Sequence, residues 1–215
     1  MDVFEAISTT RAMRRLDPDL PVSDADLRTI LEAAQKGPTG GNQQPTRWLV
    51  IRDAQTKQAL QEIYRRCWAA QRASYTATPG KLAPRVMSSA DHLAENLHLA
   101  PVLILACADT GPEATRQPAS VYPSVQNLCL AARGLGLGTT LTTVHLFEEA
   151  AVREVLDIPD HVTTYALIPV GYPLGRWGVA KRRPLGEVSF LDRWGRPGPE
   201  SDLDTTDGSA PRDSR

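Results

Sequence analysis

The chain has 215 residues, of which 41% are hydrophobic, so one ordinary domain with a substantial buried core is expected. Its formal net charge of −1 argues against a general binder of nucleic acids or anionic membranes, which would carry a basic excess. No apolar run approaches the roughly 20 residues of a membrane helix, and no secretory signal pattern is visible near Met1. We therefore expect a cytoplasmic protein.

Hydrophobic periodicity predicts three helices and one strand in the first part of the chain. These are a helix at 2–10, a helix that Ser23 caps and Gly37-Pro38 ends, a strand at 48–51 and a helix at 55–73. The stretch GPTGGNQQPT at 37–46 is rich in turn-forming and amide residues and predicts a loop. The segment 74–88 carries Pro79, Gly80 and Pro84, and we expect it to be irregular and either to cover something or to move.

The second part of the chain mixes helices and strands. The predicted elements are a helix at 89–98, a strand at 102–108, a helix at 119–135, a return to a strand within 134–143, a helix at 146–156 and a strand at 163–171. The helix at 119–135 is apolar over a broad stripe, which predicts a central helix that is touched on several sides. The order of elements indicates an α+β fold, with a mixed sheet packed around this long central helix.

The last part of the chain changes character. Residues 171–195 are rich in Gly, Pro, Arg and Trp without a period, which predicts an extended C-terminal arm that runs over a surface. Residues 196–215 hold one large aliphatic side chain, Leu203, among many Pro, Ser, Asp and Gly residues, which predicts a disordered tail. We therefore place one domain at 1–195 and the tail at 196–215.

Two local patterns exclude common sites. Gly134, Gly136 and Gly138 form a GxGxG run at the end of a helix, whereas the dinucleotide fingerprint is GxGxxG after a strand, so a helix C-cap is favoured over a Rossmann site. Three cysteines occur without a CxxC pair, so neither a zinc site nor a redox dithiol is expected. Cys107 and Cys129 lie in apolar segments and are interpreted as small buried side chains.

Three clusters stand out on a chain with almost no net charge. They are the arginines Arg11, Arg14 and Arg15, the Gly-amide loop at 38–45, and the triplet Lys181-Arg182-Arg183. Each has an ordinary interpretation, because basic side chains are usually solvated and Gly-Asn loops are usually turns. Together they suggest a phosphate-bearing ligand, since Arg makes forked two-bond contacts to phosphate oxygens and Gly lets backbone N–H groups approach a flat ring closely.

Four segments in the correct order resemble the nitroreductase family. TTRAMRRLD and ILEAAQKGPTGGNQQPTRWLVI resemble its front, SVYPSVQNLCLAARGLGLGT its long central helix, and VGYPLGRWGVAKRRPLGEV its closing strand and basic phosphate-binding segment. The resemblance covers about residues 3–195. It implies a homodimer that holds FMN at the subunit interface and is reduced by NADPH or NADH.

The resemblance also implies which residues hold the cofactor. Arg11 and Arg15, with Lys181 and Arg183, would bind the phosphate and ribityl end, and Ala12 and Met13 would contribute mainly backbone. The backbone of Leu141, Thr142 and Thr143 would lie along the isoalloxazine ring. The other subunit would supply Pro38, Thr39, Gly40 and Asn42.

The implied activity is the reduction of small electron-poor organic acceptors, such as nitroaromatics or quinones, by ping-pong hydride transfer through the flavin. No catalytic side chain is then required, and the four scattered histidines are interpreted as structural or exposed. The alternatives are a non-catalytic protein that binds or sequesters FMN, and a scaffold with surface arginine patches. Reductive dehalogenation and flavin destruction also stay open, because fold does not fix function. The homodimer is further suggested by Trp177, Phe190 and Trp194, whose large apolar side chains need a surface to bury against.

Overall fold

The computed structural model describes residues 1–78, 82–111 and 116–198. The helices are α1 (Val3–Thr9), α2 (Asp24–Ala34), α3 (Ala54–Thr76), α4 (Pro84–Asn96), α5 (Pro118–Gly134), α6 (Glu149–Val155) and α7 (Leu185–Val188). The strands are β1 (Thr46–Ile51), β2 (Val102–Asp109), β3 (Gly138–Thr139) and β4 (Val162–Gly171). The predicted α+β class is confirmed. None of the helices among the described residues combines the length and the apolarity needed to cross a membrane.

The four strands form one sheet in the order β1-β2-β4-β3. Every pairing between these named strands is antiparallel. The sheet is therefore antiparallel and not mixed as expected. A parallel pairing is found in an isolated bridge between Ala12 and Thr139 at the sheet edge. The strand expected within 134–143 is also shorter than predicted, because only Gly138 and Thr139 pair with β4 before the chain turns away.

The sheet is covered by helices on both faces. Alternate residues of β2 point in opposite directions. Ile104 and Ala106 belong to the core shared with α2 and α5, whereas Leu103 and Leu105 belong to the core shared with α3 and α4. Because both faces are covered, β2 is buried along almost its whole length, and the central helix α5 packs on one face as predicted.

Local sequence explains where α2 begins and where α5 ends. The Ser23 hydroxyl accepts a hydrogen bond from the backbone N–H of Asp26 at 3.0 Å, which confirms the predicted cap of α2. At the end of α5, Gly136 adopts φ +79° and Leu137 donates its N–H to the carbonyl of Ala132 at 2.8 Å. This is a Schellman C-cap, so the glycine run ends a helix as expected and directs the chain into β3.

The segment 74–88 is more regular than expected. Residues 74–76 complete α3, and Pro84 is the first residue of α4, so the prediction of one irregular stretch was wrong at both ends. Proline is accepted there because the first turn of a helix does not need its N–H. Residues 79–81 lie outside the described residues.

The chain divides by contacts into two units, Met1–Val179 and Ala180–Arg215. The first unit contains the sheet and α1–α6. In the second unit, α7 is followed by a bridge between Phe190 and Pro197, and the rings of Phe190 and Trp194 lie 4.6 Å apart between centroids. The predicted tail falls mostly outside the described residues, so its disorder and the boundary at 195 stay predictions.

Candidate functional site

The arginine-bearing segment after α1 is held against the sheet edge by its backbone. Met13 donates its N–H to the carbonyl of Thr139 at 2.9 Å, and the Met13 carbonyl accepts from the Thr140 hydroxyl at 2.7 Å. The carbonyl of Arg15 accepts from the N–H of Leu174 at 3.0 Å. The N–H of Met13 is therefore already hydrogen-bonded within the protein. The buried side chain of Met13 holds the arginines on either side of it in place.

These arginines line a cleft of about 330 Å³, which we call the arginine cleft. Its walls are residues 11–15, Arg85, Ser88, Ser89 and Gly175. None of these residues is acidic, and among the described residues none of its four arginines forms an ion pair with a carboxylate. A concentration of positive charge without a protein counter-ion is suited to an anionic ligand. The structure thus brings the predicted residues Arg11, Ala12, Met13 and Arg15 together.

A second cleft of about 210 Å³, which we call the aromatic cleft, adjoins the first. It is lined by Arg14, Tyr64, Trp68, Gln71, Tyr75, Leu82, Val86, Ala90 and residues 140–144. It therefore contains the predicted residues Leu141, Thr142 and Thr143. Its aromatic and aliphatic walls fit a flat organic molecule.

Arg14 lines both clefts, so they share this residue as a wall. Burial lowers the pKa of Arg14, and the Tyr64 phenol opposes that effect. An arginine remains protonated in proteins at any working pH, so this site carries a half-buried, permanent positive charge. The resemblance did not assign a role to Arg14, although it belongs to the same arginine cluster.

A hydrogen-bonded pair fixes the shape of the aromatic cleft. The hydroxyl groups of Tyr64 and Thr142 lie 2.9 Å apart, and the Thr142 backbone pairs with Leu167 of β4 in both directions. Burial raises the pKa of Tyr64, so its phenol is neutral and able to donate a hydrogen bond. The segment 140–143 therefore has a defined position before any ligand binds.

Sequence reasoning missed the aromatic lining of this cleft, although a pattern for it exists. Tyr64, Trp68, Gln71 and Tyr75 recur at intervals of four, three and four residues, which places them on one face of α3. The helix was predicted, but its aromatic stripe was not recognised. Leu82 and Val86 come from the segment that was expected to be irregular, whereas Ala90 lies in the part of α4 that was predicted.

The Gly-amide loop lies elsewhere in the chain. It forms a short 3₁₀ turn at Gly40–Asn42, and the Gly40 N–H donates to the hydroxyl of Ser120 at 3.2 Å, at the start of α5. Gly41, Asn42 and Gln44 all have φ between +50° and +57°. Such conformations are costly for residues other than Gly and often occur at ligand sites.

Within one chain, this loop does not join the residues that line the arginine cleft. Thr39 lines a separate cleft of about 290 Å³ beside Lys36 and Trp48. The roles expected for Pro38, Thr39, Gly40 and Asn42 thus stay predictions that concern a partner subunit. Lys181 and Arg183 lie in the second unit, and their role at the phosphate also stays a prediction.

The geometry defines a class: an α+β protein with a cationic cleft suited to a phosphate and an adjoining aromatic cleft suited to a flat molecule. The chain belongs to the nitroreductase family, whose family model matches residues 7–172. The predicted family is therefore confirmed, and the protein is an oxidoreductase.

Individual relatives extend this similarity over most of the chain. A protein of Thermus thermophilus named NADH dehydrogenase is 31% identical over 207 residues, which cover 87% of this chain and 95% of the relative. The iodotyrosine deiodinase of Thermotoga neapolitana is 28% identical over 176 residues, covering 80% and 88%. A protein of Desulfovibrio desulfuricans, solved in complex with FMN, is 28% identical with a TM-score of 0.65, covering 90% of this chain and 98% of that one.

Proposed function

We propose that this protein is an FMN-dependent oxidoreductase that takes electrons from NADH or NADPH and passes them to small electron-poor organic acceptors. The observation that carries the proposal is the junction of the two clefts at Arg14. FMN combines a dianionic phosphate with a flat heteroaromatic ring. The arginine cleft suits the first part and the aromatic cleft borders the second.

The donor set fits this cofactor. Arg11 and Arg15 offer charge-assisted, forked hydrogen bonds to phosphate oxygens. Arg14 lies between the clefts, so its positive charge is available to the phosphate and to the ring alike. Residues 140–143 are fixed by β4 and Tyr64, which gives the ring a rigid support. A bound FMN supplies the redox chemistry, because it exchanges a hydride with nicotinamide and passes electrons to the acceptor.

The acceptor is proposed to be a flat conjugated molecule, such as a nitroaromatic compound or a quinone. Tyr75 is half-buried and offers ring surface for contact with such a molecule, and the nearly buried rings of Tyr64 and Trp68 also line the cleft. Nicotinamide and acceptor would occupy this space in turn, which predicts ping-pong kinetics. Because the family assignment makes the protein an oxidoreductase, it favours an enzyme over the flavin-sequestering alternative.

The proposed functional unit is a homodimer. The loop at 38–42 does not line the arginine cleft of its own chain, which favours its contacting an FMN that is bound mainly by the other subunit. The α1 side chains Val3, Phe4 and Ile7 are 58%, 79% and 54% exposed, an apolar surface that a partner subunit would cover. Lys181 and Arg183 are proposed to add to the phosphate site. A cytoplasmic location stays a prediction from the sequence.

The activity is tested by mixing FMN-loaded protein anaerobically with NADH or NADPH and then adding an acceptor panel. The panel contains a nitroaromatic, a quinone and a halophenol. We expect the nicotinamide to bleach the flavin absorption and an acceptor to restore it. Arg11→Ala and Arg183→Ala should each weaken FMN binding about tenfold or more, since a hydrogen bond to a charged group contributes about 1.5–3 kcal/mol. Arg28→Ala, on the exposed side of α2, is the matched control.

Two results would contradict this proposal. Flavin that stays oxidised with both nicotinamides would favour a protein that only binds FMN. Arginine variants that retain FMN as firmly as the Arg28→Ala control would show that the phosphate is held elsewhere.

The dimer is tested by light scattering of the FMN-loaded protein, which should report twice the 23.4 kDa mass of one chain. Phe4→Asp should shift the protein toward monomer and release FMN, because a charge on the apolar face of α1 opposes its burial. Leu20→Asp, at an exposed position outside α1, should remain dimeric. A stable monomer that keeps its FMN would refute the shared site.

A further inference from the structure

The arginine cleft contains more positive charge than one phosphate ester needs. A phosphate monoester carries about −1.5 to −2 charges near pH 7. Arg11, Arg14 and Arg15 already provide three cationic groups from a single segment. Arg85 adds a fourth from a different element, α4, and no acidic side chain lines the cleft to balance it.

Arg85 also brings its own hydrogen-bond donors. Ser88 and Ser89 follow it at three and four residues along α4, which places all three side chains on the same face of the helix. Both serines line the cleft together with Arg85. Among the described residues, the Arg85 guanidinium has neither a hydrogen bond nor an ion pair within the protein. One guanidinium and two hydroxyl groups thus form a second set of donors, separate in sequence from the arginine segment.

We propose that Arg85, Ser88 and Ser89 bind the 2′-phosphate of NADPH, so that the enzyme prefers NADPH to NADH. This inference rests on the proposed function, which requires a nicotinamide but leaves its identity open. NADPH and NADH differ by one phosphate monoester, and a subsite for that group is what distinguishes them. The chemistry matches, because Arg forms two parallel hydrogen bonds to phosphate and serine hydroxyls satisfy the remaining oxygens.

The first test compares steady-state kinetics of the FMN-loaded enzyme with the two nicotinamides. Arg85→Ala should raise KM for NADPH about tenfold or more, since a charge-assisted hydrogen bond is lost. The rise in KM for NADPH should clearly exceed any change in kcat, in KM for NADH or in FMN content. Arg85→Lys should recover part of the NADPH affinity, and Ser88→Ala with Ser89→Ala should show a smaller loss in the same direction. Arg28→Ala again serves as the control.

The second test measures binding directly. 2′,5′-ADP carries the phosphate that marks NADPH, whereas 5′-AMP lacks it. Calorimetry with FMN-loaded protein should show tighter binding of 2′,5′-ADP than of 5′-AMP, and Arg85→Ala should abolish that difference. Because no electron transfer is involved, this result separates a failure of the subsite from a failure of the proposed activity.

Three outcomes would overturn the inference. If Arg85→Ala releases FMN, Arg85 belongs to the flavin phosphate site. If KM rises equally for NADPH and NADH, the residue binds the pyrophosphate that both share. If neither nicotinamide nor 2′,5′-ADP is affected, Arg85 is a solvated surface side chain.

Discussion

The two clefts that meet at Arg14 are built in opposite ways. The arginine cleft has a wall held mainly by backbone pairing to β3, and its cationic side chains lack carboxylate partners among the described residues. The aromatic cleft has side chains that are already engaged. Tyr64 is hydrogen-bonded to Thr142, and the Trp68 indole N–H donates to Asp91 at 2.8 Å. The arginine cleft therefore lacks a counter-ion that a ligand could supply, whereas Tyr64 and Trp68 of the aromatic cleft have hydrogen-bond partners within the protein.

This difference suggests that the two clefts contribute separately to ligand affinity and to ligand selection. An unpaired guanidinium in a cleft gains most from a ligand that neutralises it, so the arginine cleft is where we expect affinity to arise. The aromatic cleft is set by burial and satisfied hydrogen bonds, so it should determine which flat molecules fit. A change in the buried residues next to the aromatic cleft should therefore act on stability and shape, and a change behind the arginine cleft should act on cofactor retention.

The largest effect is expected at His145, which follows the aromatic-cleft residue Val144 in the chain. Its side chain is 1% exposed, and neither ring nitrogen has a hydrogen-bond partner among the described residues. Burial lowers the pKa of His145 to about 4, with Glu149 opposing that shift and Arg116 adding to it. The ordinary pKa is 6.5, so the unfolded chain takes up a proton before the folded protein does.

Stability should thus be full above about pH 6.5 and fall as the pH drops, by about 3 kcal/mol near pH 4. Urea unfolding of the wild-type protein and of His145→Leu across this range measures the slope. His145→Leu should remove most of the dependence, whereas His161→Gln, at an exposed histidine, should keep it. Equal slopes in all three proteins would show that other groups control acid sensitivity.

The sequence could predict features that depend on neighbouring residues, but not those that depend on distant pairing. The Ser23 cap of α2 and the glycine C-cap of α5 are local patterns, and both were found where expected. The arginine cluster is also a local pattern, and the structure places its three members in one cleft. The position of Arg14 between two clefts depends on how residues 11–15 pair with β3, which links positions more than 120 residues apart. No local pattern contains that information. The start of α4 was missed for another reason, because Pro84 is compatible both with a loop and with a first helical turn.

A smaller effect is expected behind the arginine cleft, at Gly138 of β3. A Cβ atom there would lie 2.8 Å from the Met13 Cβ and 3.1 Å from atoms of Leu16 and Pro173. Gly138→Ala should therefore push the arginine segment away from the sheet edge, with a loss of about 1–3 kcal/mol in unfolding free energy. FMN affinity should fall as well, because Arg11 and Arg15 move together with Met13.

Gly134→Ala provides the matched control for this change. A Cβ at Gly134 meets nothing within 4 Å, and alanine should stabilise the last turn of α5 by up to about 1 kcal/mol. Fluorescence titration with FMN and urea unfolding of both variants give the two quantities. If Gly138→Ala lost stability but kept its FMN affinity, the arginines would hold the phosphate without support from β3, and the two clefts would not differ in the way described.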